Sequence, residues 1–375
     1  MLDRLAKYLS TVEQTGNLRS IPLEPIDGLI DLTSNDYLGI ASDRDLFFEF
    51  YHQCDAQKIF MSSVASRLLS DKQSDFVNLE NTLSDLFHKS CLLFNSGYHA
   101  NTGIIPALAN KQTLILADKF VHASIIDGIK LSGAEFNRFK HNDLNHLTTL
   151  LDKYADKYEQ IIVVVESIYS MDGDLCDLKQ LVEIKSKYKN IILYVDEAHG
   201  FGVRGQKGLG LCEELNVIDD IDIIVGTLGK AIASFGAFVI TSETIKKFLI
   251  NCSRSFIFST AIPPITCKWS QFVIEKMTTM TAERENLIKV SEYLNSAFEK
   301  YNGNIRSHSQ IVPLIVGDST KAVALSKQLK NLGYQALPIR KPTVPQGTER
   351  IRFSLNAKID MNVAEKLLLD LKTIL

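Results

Sequence analysis

What most constrains this chain is an alternation. Six short aliphatic runs, CLLF (91–94), TLILA (113–117), IIVVV (161–165), IILYV (191–195), IDIIVG (221–226) and GAFVI (236–240), are separated in several places by helix-length amphipathic segments. Ser74 precedes a pattern with Phe76, Leu79, Leu83 and Leu86 on one helical side, and residues 123–131, 144–154 and 178–188 read similarly. Strands that are apolar on both faces and alternate with helices predict a largely parallel sheet covered on both sides. After Pro263 and Pro264 the pattern changes. A helical stretch over about residues 266–301 leads to VPLIV (312–316), a helix over 321–332, strand-like RIRFSL (350–355) and a last helix over 363–374. The expected organisation is an N-terminal helix and arm (1–45), a large α/β domain (46–265) and a smaller C-terminal α+β domain (266–375).

Composition narrows the function classes. Lys plus Arg number 41 against 44 Asp plus Glu in 375 residues, a formal charge of −3, and no basic block appears. The electrostatic footprint of a nucleic-acid binder is missing. The six cysteines are widely spaced without a C-x-x-C pair, which reads as free thiols in a reducing compartment and not as a metal site. Leu2, Leu5, Leu9 and Val12 share one helical face near the N-terminus, but no uninterrupted apolar region follows, so a secretory signal is not expected. The longest apolar runs are strand-sized and too short to cross a bilayer. A soluble, cytoplasmic protein is expected.

Ligands of open parallel sheets bind outside the carboxyl ends of the strands. The polar clusters fall there: Asn95 to Tyr98 after CLLF, Glu166 and Ser167 after IIVVV, Asp196 to Gly200 after IILYV, and Thr227 to Lys230 after IIVG. Three chemistries compete for them. Asp196 to His199 spell DEAH, as in nucleic-acid-dependent ATPases, but no G-x-x-x-x-G-K-[ST] phosphate loop accompanies it. Gly200, Gly202 and Gly205 match G-x-G-x-x-G, yet they do not follow the strand directly, and a dinucleotide site needs that context. A pyridoxal phosphate enzyme needs an amine for a Schiff base, a carboxylate for the pyridine nitrogen, and N–H groups at a helix N-terminus for the phosphate. Lys230 offers the amine, Asp196 the carboxylate, and Gly97 and Tyr98 beside Ser96 the phosphate site. Only this third reading has all its parts.

Ordered blocks then extend the match almost end to end. They include SNDYLG (34–39), NSGYHAN (95–101), DKFVHASIIDG (118–128), ESIYSMDGD (166–174), VDEAHGFGVRG (195–205), GTLGK (226–230), FSTAIPP (258–264) and KPTVPQGTERIRFSLNA (341–357). With these the chain resembles the α-oxoamine synthases, pyridoxal phosphate enzymes of aminotransferase-like fold-type I that condense an amino acid with an acyl thioester. QIVPLIVGD (310–318) and the KPTVPQGTERIR block look most like the biotin-pathway member. That member joins L-alanine to a pimeloyl group carried on CoA or on a carrier protein. A different amino acid and acyl-CoA pair, as in a glycine C-acetyltransferase-like enzyme, is the alternative within the family. An inert binding homologue is the alternative outside it, against which the presence of both Lys230 and Asp196 speaks.

The resemblance implies roles by position. Lys230 is the Schiff-base lysine and Cα base, Asp196 the pyridinium partner, and His122 the imidazole stacked on the ring, although a lone histidine there also suits a local helix cap. His199 meets the cofactor's phenolic oxygen, while Ser96, Gly97, Tyr98 and Thr227 serve the phosphate. Ser259 and Thr260 complete that site from a second subunit, which implies a homodimer. Arg352 clamps the amino-acid carboxylate with Asn35 nearby, and Arg19, Ser170 and Thr343 contact the acyl substrate. No metal is implied. Four departures stand out: Val64 lies where the family has a glycine-rich turn, Phe76 and Ile359 replace histidines, and Ser167 replaces a glycine. Val64 would adopt the positive φ of such a turn only at a cost.

Overall fold

The computed structural model describes residues 1–14, 17–19, 21 and 28–375. Among them, in chain order, are β1 (Ile30–Asp31), β2 (Ser90–Phe94), β3 (Thr113–Asp118), β4 (Glu135–Phe139), β5 (Gln160–Glu166) and β6 (Ile191–Asp196). β7 (Ile223–Thr227), β8 (Ala237–Thr241), β9 (Ile311–Ile315), β10 (Tyr334–Gln335), β11 (Leu337–Ile339) and β12 (Arg350–Ser354) follow. The first helices are α1 (Leu2–Gln14), α2 (Arg44–Gln53), α3 (Ser74–Phe87), α4 (Gly97–Leu108) and α5 (Ala123–Ser132).

The chain divides into two compact units, Leu38–Tyr169 with Leu175–Arg284, and Met1–Tyr37 with Ser170–Asp174 and Glu285–Leu375. The first unit holds a seven-stranded sheet in the order β2-β8-β7-β6-β5-β3-β4. Six strands run one way and β8 alone runs against both neighbours. Every residue of β3 is buried, and so is all of β5 after its first residue. Strand side chains alternate between faces. Ile115, Ile162, Val164 and Val225 therefore pack with Ile104, Ile105, Ile125 and Ile129 of α4 and α5 on one face. Leu116, Val163, Leu193 and Ile224 are buried on the other. Each such side chain contributes roughly 1.5–3 kcal/mol by leaving water, which explains why the strands read as unbroken apolar runs.

In the second unit, β11, β12 and β9 form an antiparallel sheet, and β1 pairs in parallel with β10. Arg350 and Arg352 are two apart on β12 and therefore share one face.

The structure departs from the sequence reading in three places. The single long helix expected over 266–301 is two, Pro264–Met277 and Thr281–Asn302. Thr278 and Thr279 donate their hydroxyls to the carbonyls of Glu275 and Lys276, satisfying the last turn from the side chains and ending the helix. The division between units falls at 284/285 and not at 265/266, and the N-terminal residues group with the C-terminal ones instead of standing as a separate arm. The strand β4, EFNRF, was not evident because it is an edge strand, bonded to β3 alone and largely exposed.

Candidate active site

One cavity of about 180 Å³ collects the polar groups that follow the carboxyl ends of five strands in the first unit. Gly97 and Tyr98 come after β2, His122 after β3, Glu166 ends β5, Asp196 ends β6 with His199 just beyond, and Thr227 and Lys230 follow β7. The order β7-β6-β5-β3 sets these ends side by side, so residues far apart in the chain meet.

Lys230 and Asp196 both line this cavity, as the sequence expects. Lys230 Nζ lies 2.9 Å from His199 Nε2, which ties the amine to a buried imidazole. Asp196 is buried and both its oxygens are held: Oδ1 accepts from the Ala198 N–H at 2.9 Å and Oδ2 from Asn101 Nδ2 at 3.0 Å. A carboxyl group fixed in this way is held ready to pair with a cationic partner. Asn101, missed from the sequence, is the hub. Its Oδ1 accepts from the Tyr194 hydroxyl, and its Nδ2 also reaches Ser124 Oγ at 2.9 Å. The signal was available, because Asn101 sits four residues after Gly97 and thus on the same face of α4.

His122 sits at a helix start on the cavity wall. It lines the cavity and also caps α5, with its Nδ1 accepting the Ser124 backbone N–H at 3.2 Å and lying 2.7 Å from the Ser124 hydroxyl. An Nδ1 that accepts leaves the neutral ring's proton on Nε2. Burial, reinforced by the Lys230 charge and opposed by Asp196, holds its pKa below the ordinary value. Glu166, which the sequence sets at a strand end without a role, ends β5 in register with Asp196. Burial and then the Asp196 charge push its carboxyl well above the usual range.

The N-terminus of α4 faces the same cavity through Gly97 and Tyr98. A Cβ on Gly97 would meet no atom within 4 Å, which leaves the first-turn N–H groups open to an anion. Ser96 caps the helix, accepting from the His99 N–H at 3.2 Å, and does not line the cavity. Tyr98 donates its hydroxyl to Asp127 at 2.6 Å. Thr227 Oγ1 accepts the Gly229 N–H at 3.2 Å and thereby shapes the turn that carries Lys230. Ser259 and Thr260 do not line the cavity, and the Thr260 carbonyl accepts from Asn95.

In the second unit, the expected substrate contacts form two groups. Arg352 is buried; its Nε donates to the Ser170 carbonyl at 2.7 Å and its two terminal nitrogens lie 3.4 Å from Asn35 Oδ1. No carboxylate among the described residues pairs with it. Arg19, which is exposed, reaches Thr343 Oγ1 at 3.5 Å. Arg350, by contrast, is buried and ion-paired with Asp172.

Three of the four departures from the family pattern, at Phe76, Ser167 and Val64, have a local setting in the structure. Phe76 is buried under the Arg67 guanidinium, 4.5 Å from its ring centroid, and Arg67 also pairs with Glu80. Ser167 turns its hydroxyl to the buried Glu197. Val64 does adopt a positive φ of 48°. None of the three lines the cavity.

These groups fit pyridoxal phosphate: an amine, a pinned carboxylate and an open helix N-terminus surround one space, with an imidazole between them. Comparison with known proteins agrees. Residues 27–371 match the model of the aminotransferase class I and II family. An 8-amino-7-oxononanoate synthase of Haemophilus ducreyi is 46% identical over 97% of this chain and 98% of its own. The fold is similar to serine palmitoyltransferase from S. paucimobilis, solved with a PLP–myriocin aldimine, at a TM-score of 0.89 and 27% identity over 99% of this chain and 96% of that one. It is also similar to 8-amino-7-oxononanoate synthase from Francisella tularensis, at 0.77 and 28% over 93% and 98%. The chain belongs to the class I and II aminotransferases, and within them to the α-oxoamine synthases.

Proposed function

We propose that this chain is an 8-amino-7-oxononanoate synthase. With pyridoxal phosphate it condenses L-alanine with a pimeloyl thioester, on CoA or a carrier protein, and releases CO₂ and the free thiol. The observation that carries this reading is the one cavity holding Lys230, Asp196 and the α4 N-terminus together. The name of the H. ducreyi relative supports the choice of substrates.

Lys230, Asp196, His122 and His199 would hold the cofactor, with Gly97, Tyr98 and Thr227 toward its phosphate. When bound, the cofactor supplies an electron sink for negative charge developing at the amino acid's Cα. Asp196 would keep the ring nitrogen protonated, and His122 would meet the ring with its cavity-facing imidazole. Arg352, without a competing carboxylate, takes the alanine carboxylate in a bidentate pair, and Asn35 steadies its guanidinium. Lys230 removes the Cα proton. The carbon bonds to the thioester carbonyl, the C–S bond breaks, the carboxylate leaves as CO₂, and a proton returned from Lys230 completes the product. Arg19, Ser170 and Thr343 line the acyl path in this reading.

We further read the enzyme as a cytoplasmic homodimer. Among the described residues no disulfide joins any of the six cysteines, as in a reducing compartment. No helix among the described residues is long and apolar enough to cross a membrane. Phe60, Met61, Val64, Leu68, Leu69 and Phe258 are exposed near Ser259 and Thr260, an apolar surface suited to a second copy. Purified enzyme given L-alanine and pimeloyl-CoA is expected to release thiol and form a product of the mass of 8-amino-7-oxononanoate. Thiol release with glycine or serine, but not with alanine, would contradict the substrate assignment.

A further inference from the structure

Three acids sit at or near the ends of adjacent strands in the order β6-β5-β3: Asp196, Glu166 and Asp118. All three are buried. The outer two are well supplied with donors. Asp196 has the Ala198 N–H and Asn101, while Asp118 has the Phe120 and Asn142 N–H groups and His141. Glu166 stands between them, 3% exposed, and its Oε1 has no hydrogen-bond partner. It lines the same cavity as Lys230 and Asp196.

Resting on the proposed function above, we propose that Glu166 is a positioning residue held as a neutral carboxylic acid, which leaves Asp196 the sole carboxylate facing the cofactor ring. Two buried carboxylates at neighbouring strand ends cannot both stay charged cheaply, and the proton goes to the one with fewer donors. The groups that act electrostatically on Glu166 are Asp196 on β6, Asp118 on β3, Lys230 after β7 and His122 before α5. The first two raise its proton affinity, whereas Lys230 and the His122 backbone N–H lower it, and burial outweighs them all. The consequence is a cavity whose charge does not change with pH at this position. No second carboxylate then competes with Asp196 for the cofactor's ring nitrogen.

The test compares wild type, Glu166→Gln and Glu166→Ala as cofactor-loaded enzymes. The pH midpoint of the cofactor's visible absorbance should agree between wild type and Glu166→Gln within about 0.3 unit. Removing a real negative charge would instead lower that midpoint by about one unit or more. Cofactor affinity should stay within about twofold in Glu166→Gln and fall at least threefold in Glu166→Ala, the conservative variant rescuing what truncation loses. Infrared difference spectra should show a protonated carboxyl band in wild type that is missing in Glu166→Gln. A shifted midpoint in Glu166→Gln, or unchanged affinity in Glu166→Ala, overturns the inference while cofactor binding by wild type still stands. Wild type that takes up no cofactor overturns the functional reading and this inference with it.

Discussion

At the residue scale, His122 shows how one side chain can cap a helix and face a cavity together. Its Nδ1 is committed to the Ser124 N–H, so protonating that atom breaks a helix cap. The ring faces the cavity and is solvent-accessible there, which screens the electrostatic part of the effect. The capping geometry therefore carries the argument, with the lowered pKa in agreement. A histidine whose folded pKa lies below its ordinary 6.5 binds fewer protons folded than unfolded in that window, so stability rises with pH there. The contribution is full above about pH 6.5 and is lost as pH falls toward the lowered value. Urea unfolding of the cofactor-free protein at pH 7.5 and 5.5 should show wild type losing about 0.5 kcal/mol more than His122→Asn, which can cap but does not titrate. Equal losses would remove the cap from the account. From sequence, Lys230 and Asp196 were legible because the cofactor demands an amine and an acid at strand ends. Asn101 was within reach through its place on the α4 face, and Glu166 stood out as a strand-end acid. Neither role was legible, since the value of each lies in what it supports or leaves unpaired.

At the element scale, α4 and α5 carry the site because they pack unusually close. A Cβ on Gly128 would stand 2.4 Å from the Asn101 carbonyl oxygen, so only glycine lets the two helices meet there. Asn101 in turn holds Asp196. Gly128→Ala should therefore cost about 1–3 kcal/mol of stability through overpacking and also weaken cofactor binding. Thermal unfolding and cofactor titration measure both effects, and a variant as stable and as tightly loaded as wild type would contradict the proposed coupling. The buried strands β3, β5 and β6 were legible for the same reason they are stable: both faces are apolar. The edge strand β4 and the break between Pro264–Met277 and Thr281–Asn302 were not. A half-exposed strand loses the apolar signature, and three threonines near a helix end give no periodic signal.

At the scale of the whole molecule, the sheet order does what no local segment can. Contributions from residues 97 to 230 arrive at a single cavity only because β2, β3, β5, β6 and β7 deliver their ends to one edge. The alternation of strands and helices was enough to foresee that edge and most of the groups on it. The grouping of the N-terminal residues with the C-terminal unit was not foreseeable, because the parallel pairing of β1 with β10 joins residues some 300 apart and leaves no local trace. The claim on which the account depends is that Lys230 bears the cofactor. Cofactor-loaded protein reduced with borohydride, digested and mapped by mass spectrometry tests it against every lysine in the chain. The account predicts a pyridoxyl group on the peptide containing Lys230, and none in Lys230→Ala. A label on any other lysine, or persistent labelling of the variant, would contradict it.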